Sequence, residues 1–179
     1  MKILHTRKHL LVFFMPGFLL GTAYVNLLAK KYVAEPGIFS DYFLSQFQTI
    51  EINVGEYIWY LLRLRLLPLA MLAFFSFTRL RKAAAVLFLI WAGISGGILI
   101  SLAVLSLGLK GSFLCLAGIF PQFLCYVPAY LILIWHCCLY PQNRWNRQKT
   151  AFVSAAMLIG LILEIYVNPS VVRAFLSTM

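Results

Sequence analysis

The sequence is poor in charged residues, and poorest in acidic ones. Of its 179 residues only 11% are charged, with five Asp or Glu in all, while 63% are hydrophobic. Soluble domains usually carry about 25% charged residues, and no fold in water could bury so much apolar surface. These absences exclude an ordinary soluble protein and indicate that a lipid bilayer surrounds most of the chain.

Residue types that perform catalysis or bind metals are also scarce. The three histidines have no carboxylate near them in sequence, and the serines lie in no nucleophile-elbow pattern. The cysteines match no zinc-ligand spacing and are interpreted as small hydrophobic residues; they are Cys115, Cys125, Cys137 and Cys138. The sequence therefore predicts a non-enzymatic protein with no catalytic residue, no metal and no cofactor.

Positive charge, in contrast, is abundant, and the formal net charge is +10. The cations do not form a basic patch interleaved with polar surface, so we expect no nucleic-acid partner. They come instead in short clusters between apolar runs, as they do in cytoplasmic loops of membrane proteins. Nine of them fall in three segments that contain no acidic residue: Lys2, Arg7 and Lys8; Arg79, Arg81 and Lys82; Arg144, Arg147 and Lys149.

The apolar runs predict an all-α fold, a polytopic transmembrane helix bundle of about five spans in a single membrane domain over residues 1–179. The predicted spans are residues 10–29, 54–78, 83–107, 112–140 and 150–167. The first run could be a secretory signal, but it is long and lacks a clear cleavage site, so we interpret it as a retained span. The positive-inside rule then predicts a cytoplasmic N-terminus and an outside C-terminus.

The first outer loop, residues 30–53, contains a turn signal at Pro36-Gly37 and then apolar residues at helical spacing over 39–50. These predict a short amphipathic helix, which lies either on the membrane surface or against the protein's own spans. Asn53 followed by Glu56 resembles a capping box, so a helix should begin near Val54. We expect Arg63, Arg65 and Pro68 to interrupt that helix.

The fourth run is too long for one straight crossing and contains Pro121 and Pro128, two turns apart. It should be kinked or broken near Pro121, with the freed carbonyl of Ala117 met by a side chain or water. Small residues predict faces where helices approach closely; they are Gly17, Gly21, Gly93, Gly97 and Gly160.

Among the ionisable residues inside the predicted spans, three raise the question of a functional role. Glu164 is near the outer end of the fifth, and Arg63 and Arg65 are near the outer end of the second. They could line a cation or proton path, but a structural ion pair between helices is favoured because a path would need more polar groups across the bilayer. Arg63 is the favoured partner of Glu164, being nearer in depth at 1.5 Å per residue.

The fourth run also carries a pattern that resembles a known family. The family signature reads approximately Pro-His-Gly-x-x-Glu-x-Pro-Ala. Its prolines and alanine are matched in register by Pro121, Pro128 and Ala129. Its histidine, glycine and glutamate are replaced by Gln122, Phe123 and Tyr126. On these residues the chain resembles the stage II sporulation protein M family.

Two further segments look like the same family. Gly17, Gly21 and Asn26 resemble its first helix, which contains glycine and closes with Asn. The segment from Glu164 to Pro169 resembles its terminal helix, in which a Glu is followed shortly by a Pro. The resemblance thus extends over nearly the whole chain.

The resemblance implies a multi-pass cell-membrane protein of a spore-forming bacterium, one that works in engulfment by anchoring peptidoglycan-degrading proteins at the septum. With Gln122 and Tyr126 in the motif, any acid–base or metal role would be lost, and the paired prolines would be structural. The expected function is a non-enzymatic membrane scaffold. Its expected partners are the lipid bilayer and membrane or extracytoplasmic proteins, with a homo-oligomer left open.

The alternative is a small transporter or permease-like subunit with its site at the broken fourth helix. Family members also occur near transporter components, so this chain could be a paralogue with another task. A water-filled cavity lined by Gln122, Tyr126 and Asn26 would favour transport. A closed, dry bundle would favour the scaffold.

Overall fold

The computed structural model describes residues 2–27, 54–139 and 145–177, and these ranges contain helices and no strand. The helices are α1 Lys2–Leu27, α2 Val54–Ser76, α3 Arg81–Leu107, α4 Leu109–Ile119, α5 Phe123–Leu139, α6 Arg147–Ile162, a π-helical turn Leu163–Val167, and α7 Asn168–Leu176. The all-α fold is confirmed. The predicted short helix at residues 39–50 lies outside the described residues.

Each predicted apolar run corresponds to a helix or a helix pair. Within the described residues, three helices are long and apolar enough to cross a membrane: Gly55–Ser76, Arg81–Leu107 and Arg147–Ala174. The bent pair α4 and α5 makes a fourth if it is counted as one span, and α1 contributes the shorter apolar segment Val12–Leu27. The chain is therefore a membrane protein with several spanning helices.

Local sequence signals explain where several helices begin and end. α2 begins at Val54, as the capping-box pattern predicted. α6 begins after Asn146, whose side-chain oxygen accepts a hydrogen bond from the backbone N–H of Arg147. α3 ends at Leu107, and the next residue, Gly108, has a φ of 62°, a left-handed conformation that glycine adopts without the steric cost of a Cβ.

The chain divides into two compact units, one of residues 1–49, 86–115 and 179, the other of residues 50–85 and 116–178. In the first, α1 packs backbone to backbone against α3. A Cβ added at Gly17 or Gly21 would press on the carbonyl oxygens of Ile90 and Ile94. Likewise, a Cβ at Gly93 or Gly97 would press on carbonyl oxygens of α1, those of Phe14 and Phe18. Four of the predicted packing glycines thus form one close helix crossing.

Prolines break one of the described helices and leave three others continuous, among them α1, which contains Pro16. α4 and α5 meet at an angle of 68° at residues 120–122, so the break near Pro121 is confirmed. Pro128 lies inside the continuous α5, and Pro68 lies inside the continuous α2, so the expected interruption of α2 was wrong. A proline removes one backbone hydrogen-bond donor from the helix. In a membrane helix, the other backbone hydrogen bonds and the packing of neighbouring helices keep the helix continuous.

The last span was predicted to end at residue 167, because Asn168-Pro169 should stop a helix, but the helix continues beyond that point. α6 continues through the π-helical turn into α7, which reaches Leu176. In the turn, the backbone N–H of Asn168 donates to the carbonyl of Leu163, a bond that spans five residues instead of four. This wider turn comes just before Pro169, where a regular helix would lose a donor and crowd a carbonyl. The helix therefore passes the proline without stopping.

Candidate functional site

A charged cluster lies within the second unit, centred on Glu164. This residue sits on the π-helical turn, and its side chain is only 5% exposed. Arg65, on α2, faces it with two nitrogens: Nη2 donates to Oε1 at 2.6 Å, and Nε donates to Oε2 at 3.1 Å. This two-pronged geometry is the strongest form of an arginine–carboxylate contact, because both donors of the planar fork are used at once.

Two tyrosines of α5 complete the cluster. The hydroxyl of Tyr126 donates to Oε2 of Glu164 at 2.7 Å, and its ring lies beneath the guanidinium of Arg65, 4.9 Å from Cζ to the ring centroid. Tyr130, one turn later, donates its hydroxyl to the backbone carbonyl of Arg65 at 3.0 Å. Glu164 thus accepts three hydrogen bonds, and α2, α5 and the π-helical turn are tied together at one point.

A glycine lets the Tyr126 ring take this position. Gly160, one turn before Glu164, is buried beneath the ring, and a Cβ added there would lie 2.5 Å from Cε1 of Tyr126. No real side chain tolerates such a contact without moving. Gly160, predicted from sequence as a packing residue, therefore accommodates the aromatic side chain that bonds the carboxylate.

The choice of Arg63 as the partner of Glu164 was wrong. Arg63 is exposed, while Arg65 makes the ion pair. The depth comparison assumed that the last helix ends at residue 167, but the helix continues to Leu176, so Glu164 lies about 18 Å from its end at 1.5 Å per residue. The two arginines also point about 200° apart on α2, so only one can face α5 and the π-helical turn.

The motif residues of the fourth run have separate roles. Pro121 lies at the bend, Pro128 within α5, and Ala129 is fully buried. Gln122, only 3% exposed, donates its side-chain amide to the carbonyl of Gly118 at 2.6 Å. The prediction that a side chain would bond a backbone carbonyl at the break is therefore confirmed in kind. The acceptor is the carbonyl of Gly118, one residue after the predicted Ala117.

Tyr126 was noted in sequence as the replacement of the motif glutamate and as a residue that could line a transport cavity. The structure makes it the hydroxyl donor to Glu164 across 38 residues of sequence. Tyr130 was not singled out at all. The only local signal for this pair is their spacing of one helical turn on an otherwise apolar helix, which places two hydroxyls on one face.

The chemistry of the cluster is that of a structural contact between helices. The carboxylate is paired in charge and bonded through both oxygens, so it has little capacity left for a ligand. Asn26, the third residue considered for a transport cavity, belongs to the other unit and donates its amide to the carbonyl of Thr22 in its own helix. Within the described ranges, no three His, Cys, Asp or Glu residues come together as a metal site.

The comparisons with known proteins add no family to these observations. No protein-family model, no curated protein and no solved structure matches this chain.

Proposed function

We propose that this chain is a non-enzymatic membrane scaffold or anchor, which holds partner proteins through its exposed helix faces and outer loop. The single observation that carries the proposal is the closed state of the Glu164 cluster. An intramembrane acid in a transport path has to bind and release an ion or proton. Glu164 is instead buried, paired with Arg65 and bonded to Tyr126.

The burial of the neighbouring motif residues also supports a scaffold. Gln122 is 3% exposed and Tyr126 is 4% exposed, so both side chains are enclosed by protein. Asn26 bonds its own helix. Gln122 and Tyr126 therefore offer little polar surface to a permeation path, which requires polar groups exposed along its length.

Location and partners follow from the charge pattern and from the family resemblance. The three basic segments favour a cytoplasmic N-terminus and, with five crossings, a C-terminus outside. The resemblance to stage II sporulation protein M favours the cell membrane of a spore-forming bacterium. It also suggests that the partners are the peptidoglycan-degrading proteins that act at the septum during engulfment.

Site-specific photocrosslinking in sporulating cells tests the scaffold role. A photoreactive residue would replace Leu158 on α6, which is 62% exposed, and a matched control would replace Val153 on the same helix, which is 6% exposed. We expect adducts with the septal peptidoglycan-degrading proteins from exposed positions and none from the buried control. Normal engulfment in cells that lack this chain, together with no such adducts, would reject the proposal.

The bent fourth span supports a second candidate, a small transporter or permease-like subunit. Transporters often bind their substrates where a membrane helix is broken, and α4 and α5 form such a break, with an angle of 68°. In addition, the buried Oε1 of Gln122 has no hydrogen-bond partner within the described part of the chain. Uptake or current measurements on proteoliposomes containing the purified protein test this. Flux that is abolished by Gln122→Leu but retained in Asn26→Leu would favour the transporter over the scaffold.

A further inference from the structure

A cavity lies in the second unit, far from the Glu164 cluster. Its volume is about 270 Å³, and it is bordered by the end of α2, the turn into α3, the last turn of α5 and the residues before α6. Its lining residues are Ser76, Phe77, Arg81, His136 and Trp145. His136 follows Tyr126 by ten residues on α5, which places the cavity about 15 Å along the helix from the ion pair.

The lining is polar, aromatic and positively charged. Arg81 supplies a guanidinium, whose five N–H donors in a planar fork match the oxygens of a phosphate group. His136 is buried, and its ring meets that of Trp145 edge to face at a centroid distance of 5.2 Å. This contact between the two rings fixes one part of the cavity lining.

The surroundings strengthen the positive potential. The sequence contains no Asp or Glu between residues 57 and 163, and every helix end around the cavity lies in that stretch. Lys82 follows Arg81, and Arg147 and Lys149 begin the neighbouring α6. The described elements around the cavity therefore carry several cations and no carboxylate, which favours an anionic ligand.

The volume of the cavity and its position at the helix ends indicate which kind of anion it would bind. Pockets that enclose drug-sized ligands measure about 300–1,000 Å³, so this cavity suits one phosphate-bearing headgroup better than a nucleotide. Phe77 is 74% exposed at its rim, and aromatic residues at helix ends mark the depth of lipid headgroups. Basic pockets between membrane helices on the cytoplasmic side are a recognised form of anionic-lipid site.

We propose that this cavity binds the phosphate group of an anionic membrane lipid, held by Arg81 beside the packed rings of His136 and Trp145. The site is independent of the scaffold role, since it uses none of the residues of the Glu164 cluster. The phosphate group could belong to a membrane lipid or to soluble phosphate. The position of the cavity at the helix ends favours a membrane lipid.

The test compares Arg81→Gln with Arg79→Gln in the full-length protein. Both changes remove one positive charge from the same connection, but only Arg81 lines the cavity, and Arg79 is exposed. The purified protein is titrated with short-chain phosphatidylglycerol, with phosphatidylcholine and with inorganic phosphate. Binding is read from the rise in the thermal unfolding midpoint that a bound ligand produces.

We expect phosphatidylglycerol, and not phosphatidylcholine, to raise the midpoint of the wild-type protein and of Arg79→Gln. Loss of a charge-assisted bidentate contact should weaken the response of Arg81→Gln about tenfold or more in concentration. If Arg81→Gln does not fold, Arg81→Lys replaces it in the test, because lysine keeps the positive charge but lacks the planar set of guanidinium donors. It should respond several-fold more weakly than Arg79→Lys.

Two results would overturn the assignment. An equal response of the Arg81 and Arg79 variants, or an equal response to the two lipids, would show that the cavity does not recognise the headgroup phosphate. Saturation by inorganic phosphate at the concentrations where the lipid acts, with the same dependence on Arg81, would keep the anion site but reject the bilayer as its source.

Discussion

Replacing Arg65 by methionine should destabilise the protein far more than the same replacement of Arg63. The two arginines lie two residues apart on α2, carry the same charge and precede the same Pro68. They differ in what they contact: Arg65 bonds both oxygens of Glu164, whereas Arg63 is exposed. Arg63→Met is therefore a matched control for charge, size and helix propensity.

The expected loss follows from the burial of the partner. Removing one member of a buried ion pair costs about 3–5 kcal/mol, because the remaining charge is stranded away from water. The Glu164 side chain is 5% exposed, but that of Arg65 is 34% exposed, so part of the interaction is screened by its surroundings. We therefore take the lower end, about 3 kcal/mol, which is roughly a 100-fold change in the folded-to-unfolded ratio.

The assay is thermal unfolding of the purified protein in one detergent, followed by tryptophan fluorescence. For a chain of this size, about 3 kcal/mol corresponds to a midpoint lower by roughly 6–12 °C. Arg63→Met should stay within about 0.5 kcal/mol of the wild-type protein, as exposed substitutions do. Equal midpoints for the two variants would refute the view that the ion pair stabilises the fold.

A charge swap separates pairing from packing. Glu164→Arg places a second cation against Arg65 and should lower the folded yield. Adding Arg65→Glu should recover part of that yield, and adding Arg63→Glu instead should recover none. Recovery by the Arg63 change, or by neither, would mean that the contact between Arg65 and Glu164 is not the one that matters.

Three further predictions concern topology and packing. A periplasmic-type reporter fused after Met179 should be active, and activity of a cytoplasmic reporter there would require an even number of crossings. Gly21→Ala should cost about 1–3 kcal/mol because its Cβ would press on the backbone of α3, whereas Gly96→Ala, with no atom within 4 Å, should gain up to about 1 kcal/mol in unfolding measurements. Gly160→Ala should lower the unfolding midpoint by displacing the Tyr126 ring, and the loss should shrink in a Tyr126→Leu background.

The features that could be predicted from sequence are those that depend on local composition. Long apolar runs predicted the helices because a bilayer requires each spanning segment to satisfy its own backbone hydrogen bonds. The capping-box pattern predicted the start of α2, and the glycine pairs of α1 and α3 predicted a close crossing. The bend near Pro121 followed from a run too long for one crossing.

The features that could not be predicted depend on how distant segments meet. Whether Arg63 or Arg65 faces Glu164 is decided by the rotation of α2 against α5 and the last helix, which no local pattern specifies. The proline at 169 was interpreted as a stop, since a proline usually ends a helix. A π-helical turn is a second solution to the same loss of a donor, and composition alone does not distinguish the two.

That π-helical turn also sets the phase of the helix on either side of it. In a regular α-helix, positions 164 and 172 are separated by eight steps of about 100°, which leaves them about 80° apart around the axis. A π-helical turn absorbs one extra residue, which reduces the separation to about 20°. Both positions do face the fourth span: Glu164 bonds Tyr126, and Val172 lies 3.9 Å from the Cβ position of Gly118. Deleting a single residue between Glu164 and Val167 would convert this turn into regular α-helix. The seven remaining steps of about 100° would again leave the two positions about 20° apart, so α7 should keep the surface it now covers.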